Sequence, residues 1–352
     1  MIKFNKKYML DHFPTLIIAI YLLVIFALAL NIGISFSSII NDSLIKFGMN
    51  LIFVLSLIPM INCGIGLNFG MSIGISAGLI GMCIALQLNL KSWMGFIVAI
   101  FISILVSILF GYIYGNILNK LKGKEDIAAV FIGYAFVPLM NIFWLIMPFS
   151  NRKMLYPVGG KGLRPKINLA ENFGNILDDF LLIKFKNIVI PLGFILFVLF
   201  ISLTIYIMYR NRLGHNMVAV KENSKFAYIS GIDINKTRII SVIVSTALAS
   251  IGICVYSQSY GFIQLYDGTN IMAFPAISAI LIGGATGNKA SIKNAIIGTY
   301  LYQMVFLLSV PVANQLLIPE LAEIMRMILT NGIILFAFLW QRGNLNEQKA
   351  NV

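Results

Sequence analysis

The chain has 352 residues, of which 59% are hydrophobic and only 11% are charged. A water-soluble domain has about a quarter of its residues charged, so this composition excludes a chain that coats itself with a soluble surface. The apolar residues come in blocks of about 20, the length that crosses ~30 Å of hydrocarbon as a helix. Backbone amides must be paired in lipid, and the blocks are too uniformly apolar for barrel strands. The sequence therefore predicts an all-α, polytopic membrane helix bundle.

The formal net charge of +13 does not indicate a nucleic-acid-binding protein. The Lys and Arg residues stand in short clusters between apolar blocks, without the interleaved aromatic residues of a nucleic-acid groove. We interpret them as orientation signals that also attract anionic membrane lipid. The three cysteines form no CxxC or Cys/His grouping, so we expect neither a metal site nor a disulfide framework.

Ten membrane spans can be placed, at 14–34, 47–63, 66–90, 93–118, 127–148, 188–209, 239–260, 271–288, 294–310 and 321–340. Glycines between 283 and 287 interrupt the pattern of the eighth and ninth. Lys and Arg concentrate in alternate loops, which places both termini in the cytoplasm. A signal peptide is an alternative for the first apolar run. Because that run is longer than usual for a signal peptide, we favour an uncleaved first helix.

The spans divide the chain into three parts. These are a cytoplasmic tail with the first helix (1–45), the main transmembrane domain (46–340) and a second cytoplasmic tail (341–352). The main domain contains an external loop at 149–187 and a cytoplasmic loop at 210–237. The external loop is basic, but loops of that length translocate with little regard to charge. Its segment 170–185 could form a short amphipathic helix at the outer membrane interface.

Small and polar residues mark the third span. Glycines recur there at every fourth position, at Gly66, Gly70, Gly74 and Gly78. This spacing predicts a smooth ridge, which serves either ordinary helix packing or a helix that lines a solute pathway. Asn62 and Asn68 favour the pathway, because polar groups in lipid normally face the protein interior or a cavity. Asn141 and Gln258, inside other spans, are compatible with a pathway for a neutral, hydroxyl-bearing solute.

No carboxylate falls at mid-membrane depth, since the acidic residues lie in loops or at span edges. Carriers driven by protons or sodium usually hold the coupling ion with such a carboxylate. The chain also lacks a GxxxxGK[ST] phosphate loop, so we expect energy from another subunit and no catalytic residues here. An ion-coupled secondary transporter is the main alternative. An intramembrane enzyme is disfavoured, because HExxH and GxGD motifs are absent.

The long cytoplasmic loop contains a predicted helix over 216–230. Val220, Ala227 and Tyr228 lie near one side of this helix, and Gly231 is well placed to end it in the left-handed conformation. Its apolar side chains must be covered, either by lipid headgroups or by a groove on a soluble partner.

This loop resembles the cytoplasmic coupling loop of permease subunits in the ribose, simple-sugar, nucleoside and branched-chain amino-acid group of ABC importers. The family pattern is Gly, a variable stretch, Ala-Ile-Gly-Gly-Asn, two acidic or polar residues, Ala-Ala, three residues and Gly-Ile. The residues that fall on this pattern are Gly214, Ala219, Asn223, Ala227, Gly231 and Ile232. Lys221 and Glu222 replace the glycine pair, and Phe226 replaces the first alanine.

Two further segments are similar to the same family. Residues 64–70 read GIGLNFG where the family has GIDLSVG, so Gly66 replaces an Asp, Asn68 a Ser and Phe69 a Val. Residues 276–285 read AISAILIGGA and are similar to the family segment AIAAVVIGG. The resemblance covers about residues 45 to 340.

The resemblance implies the permease subunit of an ATP-binding-cassette importer in the bacterial cytoplasmic (inner) membrane. It implies a second permease subunit, identical or not, a cytoplasmic ATPase that binds ATP and Mg, an extracellular solute-binding protein, and no cofactor in this chain. The residues expected to couple to the ATPase are Gly214, Ala219, Asn223, Phe226, Ala227, Gly231 and Ile232. Those expected to border the translocation pathway are Asn62, Asn68, Phe69, Gly70, Gly74, Asn141, Gln258, Gly283 and Gly284. The 64–70 match favours a monosaccharide or nucleoside over a branched-chain amino acid.

Overall fold

The computed structural model describes residues 13–156, 162–266, 272–287 and 289–316, with the single positions 324 and 332. Its helices are α1 (Phe13–Asn31), α2 (Phe36–Asn62), α3 (Met71–Gln87), α4 (Ser92–Lys120), α5 (Glu125–Ile146), α6 (Ile176–Asp179), α7 (Leu192–Arg210), α8 (Arg212–Glu222), α9 (Ser224–Ile229), α10 (Ile234–Tyr260), α11 (Ala273–Ile282) and α12 (Ile292–Leu316). The strands are β1 (Lys166–Asn168), β2 (Leu182–Phe185), β3 (Ile188–Pro191) and β4 (Phe262–Gln264). This architecture confirms the predicted all-α membrane bundle.

Seven of the described helices, α1, α2, α4, α5, α7, α10 and α12, are long and apolar enough to cross a membrane. The other two apolar helices are shorter, since α3 has 17 residues and α11 has 10. At 1.5 Å per residue α11 extends only about 15 Å, less than the ~30 Å of a hydrocarbon layer. The span predicted at 271–288 is therefore wrong in length, because Gly283 and Gly284 end α11 in a turn. The span predicted at 321–340 lies outside the described residues, apart from positions 324 and 332.

Four predicted span starts are also wrong by four or more residues, including those at 66 and 239, since α3 begins at Met71 and α10 at Ile234. At the other two, local signals override the hydropathy pattern. Helix α2 already begins at Phe36, where the side chain of Ser35 accepts a hydrogen bond from the N–H of Ser38 and caps the first turn. The span predicted from residue 188 begins only at Leu192, because residues 188–191 form strand β3.

Helices α2, α3 and α10 form the centre of the bundle. Most of α2 and α10 is buried within the chain, whereas α1, α4, α5 and α7 expose most of their apolar residues. A Cβ built on Gly74 would lie 2.6 Å from the carbonyl oxygen of Thr246, and one built on Gly78 would lie 2.6 Å from that of Ser250. The glycine ridge of α3 therefore packs directly against the backbone of α10.

The helix ends collect at two opposite faces of the bundle. We call residues 62–71, 120–125, 210–234, 283–287 and 289–292 the coupling-loop face, and residues 31–36, 87–92, 146–156, 162–192 and 260–266 the long-loop face. On the first, the Asn62 side chain donates to the carbonyl of Ala290 (2.8 Å) and accepts from its N–H (3.0 Å). On the second, Gln87 Oε1 accepts from the N–H groups of Ser150 and Asn151 (3.1 Å each). Loops predicted to share one side of the membrane are thus joined to one another.

The described parts of the loop at 149–187, residues 149–156 and 162–187, fold into a cap over the long-loop face. Leu163, Leu169 and Phe173 are buried, and β1 pairs antiparallel with β4. The amphipathic helix predicted over 170–185 is wrong, since only the short α6 is helical and β2 follows it. Strands β2 and β3 pair antiparallel as a hairpin that leads into α7.

Candidate functional site

The cytoplasmic loop contains two helices, α8 and α9, rather than the single helix predicted. Asn223 separates them with an extended backbone (φ −151°, ψ 98°), and its side chain accepts a hydrogen bond from the N–H of Phe226 at 2.9 Å. Asparagine is a strong helix N-cap, so its capping bond starts α9 as a separate helix. Gly231 has φ +76°, the left-handed conformation predicted for the helix stop.

Helix α8 packs its apolar side on the loop that leads into α3. Met217 and Val220 are buried in one cluster with Cys63 and Ile65. The cluster extends to Ala227 of α9, which is also fully buried. Movement of α8 would therefore be transmitted directly to the loop before α3.

A contact at the end of α8 joins the same loop. A Cβ built on Gly64 would lie 3.2 Å from Cγ of Lys221, and Gly64 has φ +73°. Burial lowers the pKa of Lys221, the carboxylate of Glu222 opposes this effect, and the positive charge of Lys289 adds to it. Lys221 therefore stands near both the α2–α3 and the α11–α12 connections.

Helix α9 turns three large apolar side chains outward. Phe226, Tyr228 and Ile229 are 61%, 74% and 83% exposed, and we call them the α9 patch. Tyr228 was predicted on the same side as Ala227, but it is exposed, because successive residues of a helix point about 100° apart. Exposed apolar clusters of this kind mark interaction surfaces on soluble faces of proteins.

The other predicted coupling residues support the two helices. A Cβ built on Gly214 would lie 2.4 Å from Cα of Tyr209, so glycine is needed where α7 meets α8. Ala219 and Ile232 are partly buried against the cluster beneath α8. The N–H of Ile232 donates to the carbonyl of Ala227 at 2.9 Å and closes the end of α9. Their assignment as ATPase contacts stays a prediction.

Asn68 lies inside a polar network between α3, α4 and α10. Its side chain is fully buried, donates to Ser245 Oγ at 2.9 Å and accepts from the Tyr114 hydroxyl at 3.2 Å. A Cβ built on Gly70 would lie 2.4 Å from that same hydroxyl. Asn68 and Gly70 thus fix the start of α3 against its neighbours.

A carboxylate from α5 secures the same loop. Asp126 Oδ1 accepts a hydrogen bond from the N–H of Leu67 at 3.1 Å. Gly66 has φ +102°, and a Cβ there would lie 2.2 Å from Asp126 Oδ1. Gly66, which stands where the family pattern has Asp, therefore leaves room for a carboxylate that another helix supplies. No pattern in either segment indicates this contact.

An open depression with a cavity volume of about 20 Å³ lies where α3, α5 and α11 meet. Its lining residues are Phe69, Ser72, Val130, Gly133, Tyr134, Ala273 and Phe274. The rings of Phe69 and Phe274 contact each other edge to face, with centroids 5.9 Å apart. Both short helices begin here, so two helix N-termini with their positive dipole ends border the depression. Interrupted helices of this kind form solute sites in many transporters.

Of the predicted pathway residues, Phe69 alone lines this depression. Asn62 instead holds the loop before α12 through Ala290, and Gly74 packs on α10. A Cβ built on Gly283 would lie 1.9 Å from the carbonyl oxygen of Asn294, so this glycine lets α11 pack on α12. Gly284 turns the chain between them with φ +85°.

Gln258 and Asn141 lie towards the long-loop face. Gln258 is fully buried, and its Oε1 accepts from the N–H of Leu177 at 3.1 Å, which fixes the cap to α10. Asn141 Oδ1 is buried on α5 without a hydrogen-bond partner among the described residues. A pathway role for either residue stays a prediction.

An ion pair joins three helices at the coupling-loop face. Arg238 of α10 pairs with Glu125 of α5, and both side chains are about nine-tenths buried. Arg238 Nε also donates to Asn119 Oδ1 of α4 at 2.9 Å. Within the described ranges, no group of three His, Cys, Asp or Glu side chains could hold a metal ion.

A family model described as branched-chain amino acid transport system / permease component matches residues 13–338. The chain belongs to this family. Its members are permease components of ABC-type transporters, so the chain is a multi-pass membrane transport subunit and not an enzyme.

One curated relative is the probable branched-chain amino acid transport permease protein LivH of Methanocaldococcus jannaschii, 32% identical over 131 residues. The alignment covers 37% of this chain and 38% of the relative, so the match spans well under half of either protein. No solved structure matches the chain.

Proposed function

We propose that this permease subunit works in an ATP-driven importer and that its α9 patch docks on a cytoplasmic ATPase. The observation that carries the proposal is the exposure of Phe226, Tyr228 and Ile229. Their helix is held to the bundle by Ala227, which is buried. A groove on a soluble subunit would cover these side chains, as other helix-in-groove interfaces do.

The coupling route is short. Helix α8 lies between the α9 patch and the loop that begins at Gly64, and this loop ends at Phe69 beside the depression. When bound ATP moves the ATPase, α9 and α8 move with it and shift the position of the Phe69 ring. The ATPase binds one position of α8 more tightly than the other, and this difference in binding free energy is the coupling free energy.

The proposed assembly has further members. A second permease subunit, a solute-binding protein on the outer side and the cytoplasmic membrane complete it. The depression is open on one side, so a second permease subunit would close it and complete the pathway. The cap over the long-loop face would present the docking surface for the solute-binding protein.

The solute that this site favours is a branched-chain amino acid. The depression is mostly apolar, with Phe69, Val130 and Phe274 in its wall, which suits an aliphatic side chain. The two helix N-termini beside it suit a carboxylate. The family's description as a branched-chain amino acid transport permease and the name of the relative point the same way. A monosaccharide or nucleoside is the second candidate, because residues 64–70 match the sugar-type motif.

Filling the depression tests this site. Val130→Trp should abolish uptake, because the indole occupies space between α5 and α11, whereas Ile127→Trp is the matched control on an exposed position of the same helix. Uptake of radiolabelled leucine, ribose and uridine into proteoliposomes with the ATPase identifies the solute. Full activity of Val130→Trp would place the pathway elsewhere, and uptake of ribose or uridine alone would overturn the amino-acid assignment.

A further inference from the structure

The hairpin of β2 and β3 carries an apolar face. Side chains alternate between the two faces of a strand, and directly paired residues share a face. Ile183 pairs with Ile190 and Phe185 pairs with Ile188, so one face consists of these four apolar side chains. Phe185 is 70% exposed and Ile183 is 49% exposed. Such a face on a short, two-stranded hairpin needs a cover.

The position of the hairpin is fixed at the membrane boundary. Strand β3 ends at Pro191 and the spanning helix α7 begins at the next residue. At the turn of the hairpin, Asn41 near the start of α2 donates to the carbonyl of Asn187 (3.2 Å) and accepts from the N–H of Val189 (2.9 Å). The hairpin therefore lies beside the ends of two spanning helices.

Its surroundings have the composition of a membrane interface. Trp93, at the start of α4, contacts Phe180 edge to face with ring centroids 5.0 Å apart, and both rings are partly exposed. Aromatic side chains are enriched at the headgroup level of membrane proteins. Lys184 and Lys186 are exposed on the hairpin, one on the face opposite Phe185 and one in the turn.

We propose that the β2–β3 hairpin is an anchor at the membrane interface. Ile183 and Phe185 enter the acyl-chain region of the adjacent leaflet, and Lys184 and Lys186 contact the phosphates of anionic lipid. Strand β3 leads directly into α7, whose exposed Leu196, Leu199 and Phe200 face the acyl chains. Lysines that flank inserted apolar residues are the usual pattern of interfacial segments.

A fluorescent probe at position 185 tests the anchor. Phe185→Cys is labelled with an environment-sensitive fluorophore, and Arg152→Cys, an exposed position on the cap, is the matched control. The native cysteines are all buried, which favours labelling of the introduced thiol. In phosphatidylcholine–phosphatidylglycerol nanodiscs, spin-labelled lipid should quench the probe at 185 and aqueous iodide should quench the probe at 152.

Two results would overturn the anchor. Iodide quenching at 185 equal to that at 152 would mean that the hairpin stands in water. Protection from both quenchers, with disulfide-linked dimers of unlabelled Phe185→Cys, would mean that a second copy covers the face.

The lysines have a separate test. In the labelled protein, spin-labelled phosphatidylglycerol should quench more than spin-labelled phosphatidylcholine, and this preference should fall about fivefold for each of Lys184→Gln and Lys186→Gln. Lys166→Gln, on a different part of the cap, is the control. An unchanged preference in the double variant would overturn the assignment of the two lysines to lipid phosphate.

Discussion

Single glycines set how closely α3 approaches α10. Gly74→Ala should lower the midpoint of thermal unfolding, because its Cβ would lie 2.6 Å from the Thr246 carbonyl oxygen and the helices would have to separate. Such overpacking costs about 1–3 kcal/mol. The measurement is thermal unfolding in detergent, with Gly287→Ala as control, since no atom lies within 4 Å of a Cβ there. Equal midpoints in both variants would show that α3 and α10 are not in this contact.

A second residue-scale prediction concerns pH and the cap. Burial raises the pKa of Asp178 from 3.8 to about 6, and a hydrogen bond from the Ser259 hydroxyl opposes this effect. The folded state therefore binds the proton more tightly than the unfolded state. Stability should rise as pH falls from about 6 towards 4, by an amount on the order of 2 kcal/mol.

Asp178→Asn should remove this pH dependence and stabilise the protein at pH 7.5. Asp42→Asn is the control, because Asp42 is exposed on α2, whereas the charge of Asp179 itself raises the pKa of Asp178. Thermal unfolding at pH 5 and pH 7.5 measures the effect. A pH dependence that survives in Asp178→Asn and disappears in Asp42→Asn would contradict the assignment.

At the residue scale, features set by neighbouring residues in the sequence could be predicted, whereas contacts between distant segments could not. The left-handed Gly231 and the buried Val220 and Ala227 follow from a local pattern. The bond from Leu67 to Asp126 joins a loop to another helix, and nothing in either segment indicates its partner. For the same reason, Asn68 and Gln258 could be identified as buried polar residues, but their partners could not.

At the scale of elements, hydropathy predicts a helix correctly where the length of the apolar run alone determines its bounds. It fails where capping or strand pairing determines them, as at Asn223, which splits one predicted helix into two. It also fails for β2, whose alternating pattern is short, and for α11, whose glycine turn ends it early. The predicted length of α11 was therefore wrong, although its apolar character was right.

The α9 patch carries the prediction at this scale. Phe226→Ser, Tyr228→Ser and Ile229→Ser together should abolish association with the ATPase and leave the thermal midpoint unchanged, because all three side chains are exposed. Size-exclusion chromatography with the purified ATPase measures association, and Lys225→Ser on the same helix is the control. Normal association of the triple variant would mean that the ATPase docks elsewhere.

Ala227→Glu probes the buried side of the same helix. It should uncouple ATP hydrolysis from uptake, because an unpaired carboxylate in the cluster beneath α8 displaces α9 from the bundle. ATP hydrolysis and uptake are measured on the same proteoliposomes. If uptake per ATP hydrolysed stays at the wild-type value, α9 does not transmit the motion.

At the scale of the whole molecule, a few contacts connect two surfaces. The α9 patch lies at the coupling-loop face, and the depression lies where the two short helices begin. The loop from Gly64 to Phe69 connects them, held by Lys221 on one side and by Asp126 on the other. The order of motifs in the sequence predicted both regions, but the depression itself depends on α11 being short, which only the fold reveals.

Every Asp and Glu in the described part of the chain lies in a loop or in the terminal turns of a helix. This distribution supports an external source of energy over an ion-coupled carrier.

The most direct test is solute uptake into proteoliposomes that contain the permease and its ATPase, with the proton and sodium gradients collapsed by ionophores. Uptake should require ATP, persist with the ionophores and be lost in the triple variant of the α9 patch. Uptake that proceeds without ATP and stops when the ion gradients are collapsed would contradict an ATP-driven importer.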